Sequence, residues 1–130
     1  MTVPTMKFDV LLLPGMKRAV RHARQWLEDV LGLHPALTDA TLCMSELVSN
    51  ALLYTESGRD GQIRVEVSHS ERIVRIEVID DGGATSVPHL ATADEAATCG
   101  RGLLIVSFLA TSWGVKERGE GHAVWFEIRP

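Results

Sequence analysis

Between Ile63 and Val78 the chain changes polarity at nearly every step. Ile63, Val65 and Val67 alternate with Arg64, Glu66 and Ser68, and beyond Ser70-Glu71, Val74, Ile76 and Val78 alternate with Arg75 and Glu77. A period of two sends successive side chains to opposite faces of a strand. The two segments therefore read as antiparallel strands with one apolar face and one wet face. Such a sheet must bury its apolar face against a second layer, and the preceding residues can supply one. Ala19, Val20, Ala23, Trp26, Leu27, Val30 and Leu31 recur at helical spacing within Met16–Leu31, with Gly32 placed as a stop. Pro35 and Thr38-Asp39 open a second helix, with apolar positions Leu37, Ala40, Leu42, Cys43, Leu47, Val48, Ala51 and Leu52. It is expected to run to about Thr55, ahead of the turn signals Ser57-Gly58 and Asp60-Gly61.

The remaining segments extend this pattern. Lys7–Leu13 reads as a short strand closed by Pro14-Gly15, and Gly102–Ala110 as an apolar helix. Thr111–Lys116 and His122–Arg129 read as two strands around a Glu117–Gly121 turn. Gly82–Gly100 is rich in Ala and Thr, weakly periodic and contains Pro88; loops of that length are often functional lids. The order implies an α+β fold, a two-layer sandwich with helices on one face of a mostly antiparallel sheet. A single domain over 1–130 is expected.

Charge narrows the functional classes. The formal net charge is −4, and no basic face compensates for it, which argues against direct nucleic-acid binding. The local basic group Lys17, Arg18, Arg21, His22 and Arg24 suits a solvated helix face or a protein-docking surface. Cys43 and Cys99 have no metal-site spacing, as in a reduced protein. No run of about 18 apolar residues could span a bilayer, and the first residues lack a leader's pattern. A cytoplasmic protein without membrane attachment is expected.

Three clusters interrupt the structural pattern. Glu46 and Asn50 stand four apart in an otherwise apolar helix, so they share one face. Two polar groups there are costly to bury unless something binds them. Asp80-Asp81-Gly82-Gly83 follows a strand; a carboxylate there can accept a hydrogen bond from an exocyclic amine, although Asp-Gly is also a common turn pair. Gly100-Arg101-Gly102-Leu103 opens a helix, where free N–H groups and a charged donor suit a phosphate. Taken alone, this motif also describes an ordinary helix start.

In this order and spacing the clusters resemble the GHKL (Bergerat-fold) ATP-binding family, with Gly121-His122-Ala123-Val124-Trp125-Phe126-Glu127 similar to its closing strand. The short chain, with Trp113-Gly114, looks most like the anti-sigma-factor serine kinases and their actinobacterial relatives. The resemblance implies that Asn50 helps hold Mg²⁺, and that Glu46 orients or deprotonates the nucleophile. It gives Asp80 with Gly82 the adenine, and Gly100, Arg101, Gly102 and Leu103 the phosphates of ATP. Implied with them is a serine/threonine protein kinase that binds a sigma factor and phosphorylates an antagonist of the anti-anti-sigma type. Relatives of this type usually form homodimers, and the basic edge of the first helix is a candidate contact.

The pattern is departed from in places. Tyr54 stands where many relatives have His, Ala84 replaces a glycine, and Asp81-Gly82-Gly83 offers a second register for the acid. Ala123 is expected to take the place of a threonine near the adenine. These departures favour the alternative of a non-catalytic ATP-sensing module. A histidine-kinase catalytic domain acting in trans is a third reading, although no phosphoacceptor histidine motif is visible. His22, His34, His69, His89 and His122 read as exposed or packed residues, and Trp26 and Trp125 as core.

Overall fold

The computed structural model describes residues 5–54, 61–81, 102–119 and 121–130. Five strands and three helices follow in chain order: β1 (Lys7–Pro14), α1 (Ala19–Leu31), α2 (Leu37–Tyr54), β2 (Gln62–Ser70), β3 (Ile73–Ile79), α3 (Gly102–Leu109), β4 (Ser112–Arg118) and β5 (Gly121–Ile128). The strands form one sheet in the order β1-β2-β3-β5-β4, and every neighbouring pair is antiparallel. The expected α+β sandwich is the fold observed.

Alternation decides which side of the sheet each residue occupies. Val74, Ile76 and Val78 lie opposite Ile128, Phe126 and Val124, and all six are buried in the core beneath the helices. Ile63, Val65 and Val67 extend that layer on β2. From above, α2 packs against α1, α3, β3 and β5, while α1 also meets β1 and α3 meets β4. The buried stripe of α1 is Ala19, Ala23, Leu27 and Leu31, the spacing expected of a helix with one inward face.

The opposite face of the sheet carries no helix among the described residues. Instead it carries charge. Arg118 on β4 bridges to Glu77 on β3 and Glu66 on β2, Lys116 reaches Glu77 at 2.8 Å, and Arg64 reaches Glu66 at 2.7 Å. Partial burial raises the Glu66 carboxyl, but hydrogen bonds from Arg64 and Arg118 outweigh it and hold the group below its ordinary range. Trp125 lies on this open face, not in the core. Its ring sits under the Arg75 guanidinium at 4.2 Å from the centroid, the geometry of a cation–π contact. Gly114, its neighbour on β4, has no side chain to obstruct the ring. At the far edge, β1 exposes Phe8, Val10 and Leu12 on the same face.

Helix boundaries differ slightly from the sequence expectation. Met16–Arg18 form a turn instead of the first turn of α1, because Arg18 at the N-cap has no side chain able to accept from the freed N–H groups. For α2, His34 supplies that acceptor: its Nδ1 accepts from Ala36 N–H at 3.0 Å. With Nδ1 as acceptor, Nε2–H donates to Ser70 O at 2.7 Å. One imidazole therefore begins α2 and ties it to the β2–β3 turn.

Candidate functional site

The buried stripe of α2 runs through Ala40, Cys43, Met44, Leu47, Val48 and Ala51. Glu46 and Asn50 stand on its shoulder, both half-buried and one turn apart. At 3.6 residues per turn they fall on the same flank as Asp39 and Cys43. Burial, with Asp39 and then Glu46 nearby, pushes the Cys43 thiol up to about 12. Cys43 is thus an inert core group, and the polar chemistry of this flank belongs to Glu46 and Asn50.

Asp80 follows β3 directly, on the next strand position of the helix-facing series Val74, Ile76 and Val78. It is locked against β5: Asp80 N–H donates to His122 O at 2.9 Å, and His122 N–H donates to Asp80 Oδ1 at 3.1 Å. Asp81 is exposed, and its Oδ2 accepts from Gln62 N–H at 2.6 Å. The two registers left open by the sequence are thereby separated. Asp80 extends the face beneath the helices, whereas Asp81 fastens the end of β3 to the start of β2.

Gly102 opens α3, and Leu103 is packed into the core at 4% exposure. The Leu103 side chain thus anchors the first turn of that helix. Because α2 packs against both β3 and α3, the elements bearing Glu46, Asn50, Asp80 and Gly102 are brought together. Gly82, Gly100 and Arg101 lie outside the described residues, as do Ala84 and the Gly82–Gly100 loop. Ala123 is placed differently from the sequence expectation. It pairs with Ile79 and Lys116 and belongs to the open face of the sheet, away from the helices. The helix-side residue of β5 beside Asp80 is His122, whose ring the sequence reading left as exposed or packed. The signal was present in the alternation: His122 is in phase with Val124, Phe126 and Ile128.

A helix bearing an acid and an amide, laid over an antiparallel sheet whose interior strand ends in a fixed aspartate, defines a two-layer sandwich with a polar site between its layers. Residues 13–128 match the family described as the histidine kinase-like ATPase domain, and the chain belongs to that family. No curated protein sequence matches it significantly. Among solved structures it is similar to the RsbU and RsbW domains of Rv1364c from Mycobacterium tuberculosis, with TM-score 0.69 at 19% identity, covering 95% of this chain and 32% of that one. The chain spans about a third of that structure, and the likeness is one of fold.

Family membership implies ATP as the ligand. Among the described residues no group of three or more His, Cys, Asp or Glu could cage a metal ion. That suits Mg²⁺ held through nucleotide, since Mg²⁺ keeps several waters and takes one or two protein oxygens plus phosphates. The half-buried carboxamide oxygen of Asn50 is a donor of the right hardness. Among the described residues, no helix is long and apolar enough to cross a membrane.

Proposed function

We propose that this chain binds Mg·ATP and acts as an anti-sigma-type serine/threonine protein kinase. The observation that carries the reading is the fixed Asp80 carboxylate at the end of an interior strand, beneath a helix presenting Glu46 and Asn50. In this reading Asp80, with Gly82, accepts from the adenine amine. Asn50 holds Mg²⁺, while Gly100, Arg101, Gly102 and Leu103 form the phosphate end of the lid. Glu46 takes the proton from a partner's Ser or Thr hydroxyl. That oxygen bonds to the γ-phosphorus as the bond to the β–γ bridging oxygen breaks, and ADP leaves.

The partners are a sigma factor and an antagonist of the anti-anti-sigma type. Phosphorylation places negative charge in the antagonist's docking surface and weakens its hold. A homodimer in the cytoplasm is part of the same reading. The exposed basic edge of α1, through Lys17, Arg18, Arg21, His22 and Arg24, is its candidate contact surface.

The test is incubation with γ-labelled ATP and candidate antagonists encoded beside this protein. Label transferred to Ser or Thr, lost in Glu46→Ala while ATP still binds, supports the kinase. Binding without transfer to an authentic partner supports a non-catalytic sensor, and transfer to His a histidine-kinase domain acting in trans. Asp80→Asn should sharply weaken ATP binding; unchanged affinity removes Asp80 from the adenine site. The Ala123 departure no longer favours the sensor, because that residue faces away from the helices.

A further inference from the structure

His122 combines two features that its neighbours do not. It stands on the helix-facing side of β5 directly beside Asp80, and its Nδ1 is buried with no hydrogen-bond partner. A buried polar atom without a partner is unfavourable, and such atoms in folded proteins call for an explanation. A neutral imidazole also carries one donor and one acceptor, so Nδ1 can present a proton where the Asp80 carboxylate can only accept. Opposed residues on neighbouring strands have Cβ atoms about 5 Å apart. That separation matches a flat heterocycle edge offering an amine hydrogen and a ring nitrogen side by side.

We infer that His122 is a second base-reading residue, whose Nδ1–H donates to the adenine ring nitrogen flanking the amine held by Asp80. This rests on the ATP-binding reading above and adds a residue and a contact to it. Backbone geometry supports the arrangement. His122 N–H is engaged by Asp80 Oδ1 and His122 O by Asp80 N–H, so the two side chains are held in fixed relation. The pair then presents an acceptor beside a donor, the complement of adenine's amine and its neighbouring N1 or N7. Guanine reverses that polarity at O6 and N1, so His122 would add to base selectivity as well as affinity.

The experiment measures binding of ATP, 1-deaza-ATP and 7-deaza-ATP by calorimetry to the wild type, His122→Ala and His122→Asn. Asn is chosen because its Nδ2–H can occupy the place of Nδ1–H. The wild type should lose about tenfold in affinity for one deaza analogue, which identifies N1 or N7, the scale of one net hydrogen bond. His122→Ala should bind ATP about tenfold more weakly and no longer distinguish that analogue, as expected when both ends of one bond are removed. His122→Asn should restore part of the discrimination. A structural role for the ring would weaken all three nucleotides equally, and that outcome overturns the inference, as does a wild type indifferent to both deaza positions.

Should His122→Ala fail to fold, ¹⁵N-histidine spectra of the wild type decide. The Nδ1 resonance should shift with ATP but not with the discriminated analogue, and an equal shift with both overturns the contact. Normal ATP binding with no role for His122 removes this inference alone. Absence of ATP binding in the wild type removes the nucleotide reading and this one with it.

Discussion

Replacing Gly114 with Ala is a sharp test of the open face of the sheet. A Cβ at this position would lie 2.7 Å from Trp125 Nε1 and 2.9 Å from Cε2 and Cζ2, whereas ordinary contact begins at 3.4 Å. The indole must therefore retreat by about 0.5–0.7 Å. Retreat is obstructed: β3 lies on the other side of β5, and Arg75 stacks on the ring at 4.2 Å while its Nη1 donates to Glu127 at 2.9 Å. Overpacking of this kind costs about 1–3 kcal/mol, and a disturbed cation–π contact adds about 0.5–1 kcal/mol. Against this, Ala restricts the unfolded chain and returns about 0.4–1 kcal/mol. The net expectation is a loss of about 1–3 kcal/mol, which at ordinary urea slopes lowers the midpoint by roughly 1 M. Urea unfolding followed by circular dichroism measures it directly. The decisive arm is Trp125→Leu, in which Gly114→Ala should become neutral or mildly stabilising, because the obstacle has gone. Wild-type stability in Gly114→Ala, or an undiminished penalty in the Trp125→Leu background, would refute the reasoning.

Other expectations follow from groups already described. His34→Ala removes the acceptor at the start of α2 and the donor to Ser70 O, and should cost about 1–2 kcal/mol in urea melts. Glu66 has a folded-state pKa below its unfolded value. Its contribution to stability is therefore present above the unfolded carboxyl range near 4.3 and is lost as pH falls through the folded value. Glu66→Gln should flatten part of the stability decline below about pH 4.3, and an unchanged acid profile would exclude that coupling. In a Cys99→Ser background, Cys43 should resist maleimide at neutral pH in the folded protein and react on unfolding, since its thiol is buried and raised to about 12. Rapid labelling without unfolding would contradict the packing of α2.

Most of the architecture was legible because it depends on period. The alternation in Ile63–Val78 and the helical spacing in α1 and α2 each specify which face is buried. The strand order is less local: β5 lies between β3 and β4, and no residue pattern within those strands announces that insertion. Helix starts were misjudged where capping departs from the usual residues, as at Arg18 and His34. Glu46, Asn50 and Asp80 were legible as polar interruptions of apolar elements. His122 was not, because a histidine in a strand carries no signal until its neighbour across the sheet is known. Ala123 was placed on the wrong side of the sheet for the same reason: one residue of phase moves a side chain to the opposite face.

The position of β5 also has a kinetic consequence. Its partner β3 lies some 45–55 residues earlier in the chain, as in Ile79↔Ala123 and Val74↔Ile128. An interior strand recruited across that separation closes a long loop before its contacts form, a topology associated with slower folding. Until it arrives, β4 has no strand to join and β3 has one unpaired edge, since β5 is the neighbour of both. The two halves of the polar site meet through the same pairing, because Asp80 is held by His122 of β5. Completion of the sheet and assembly of the base-reading corner would then be a single kinetic event. A chain truncated before Gly121 would lose both.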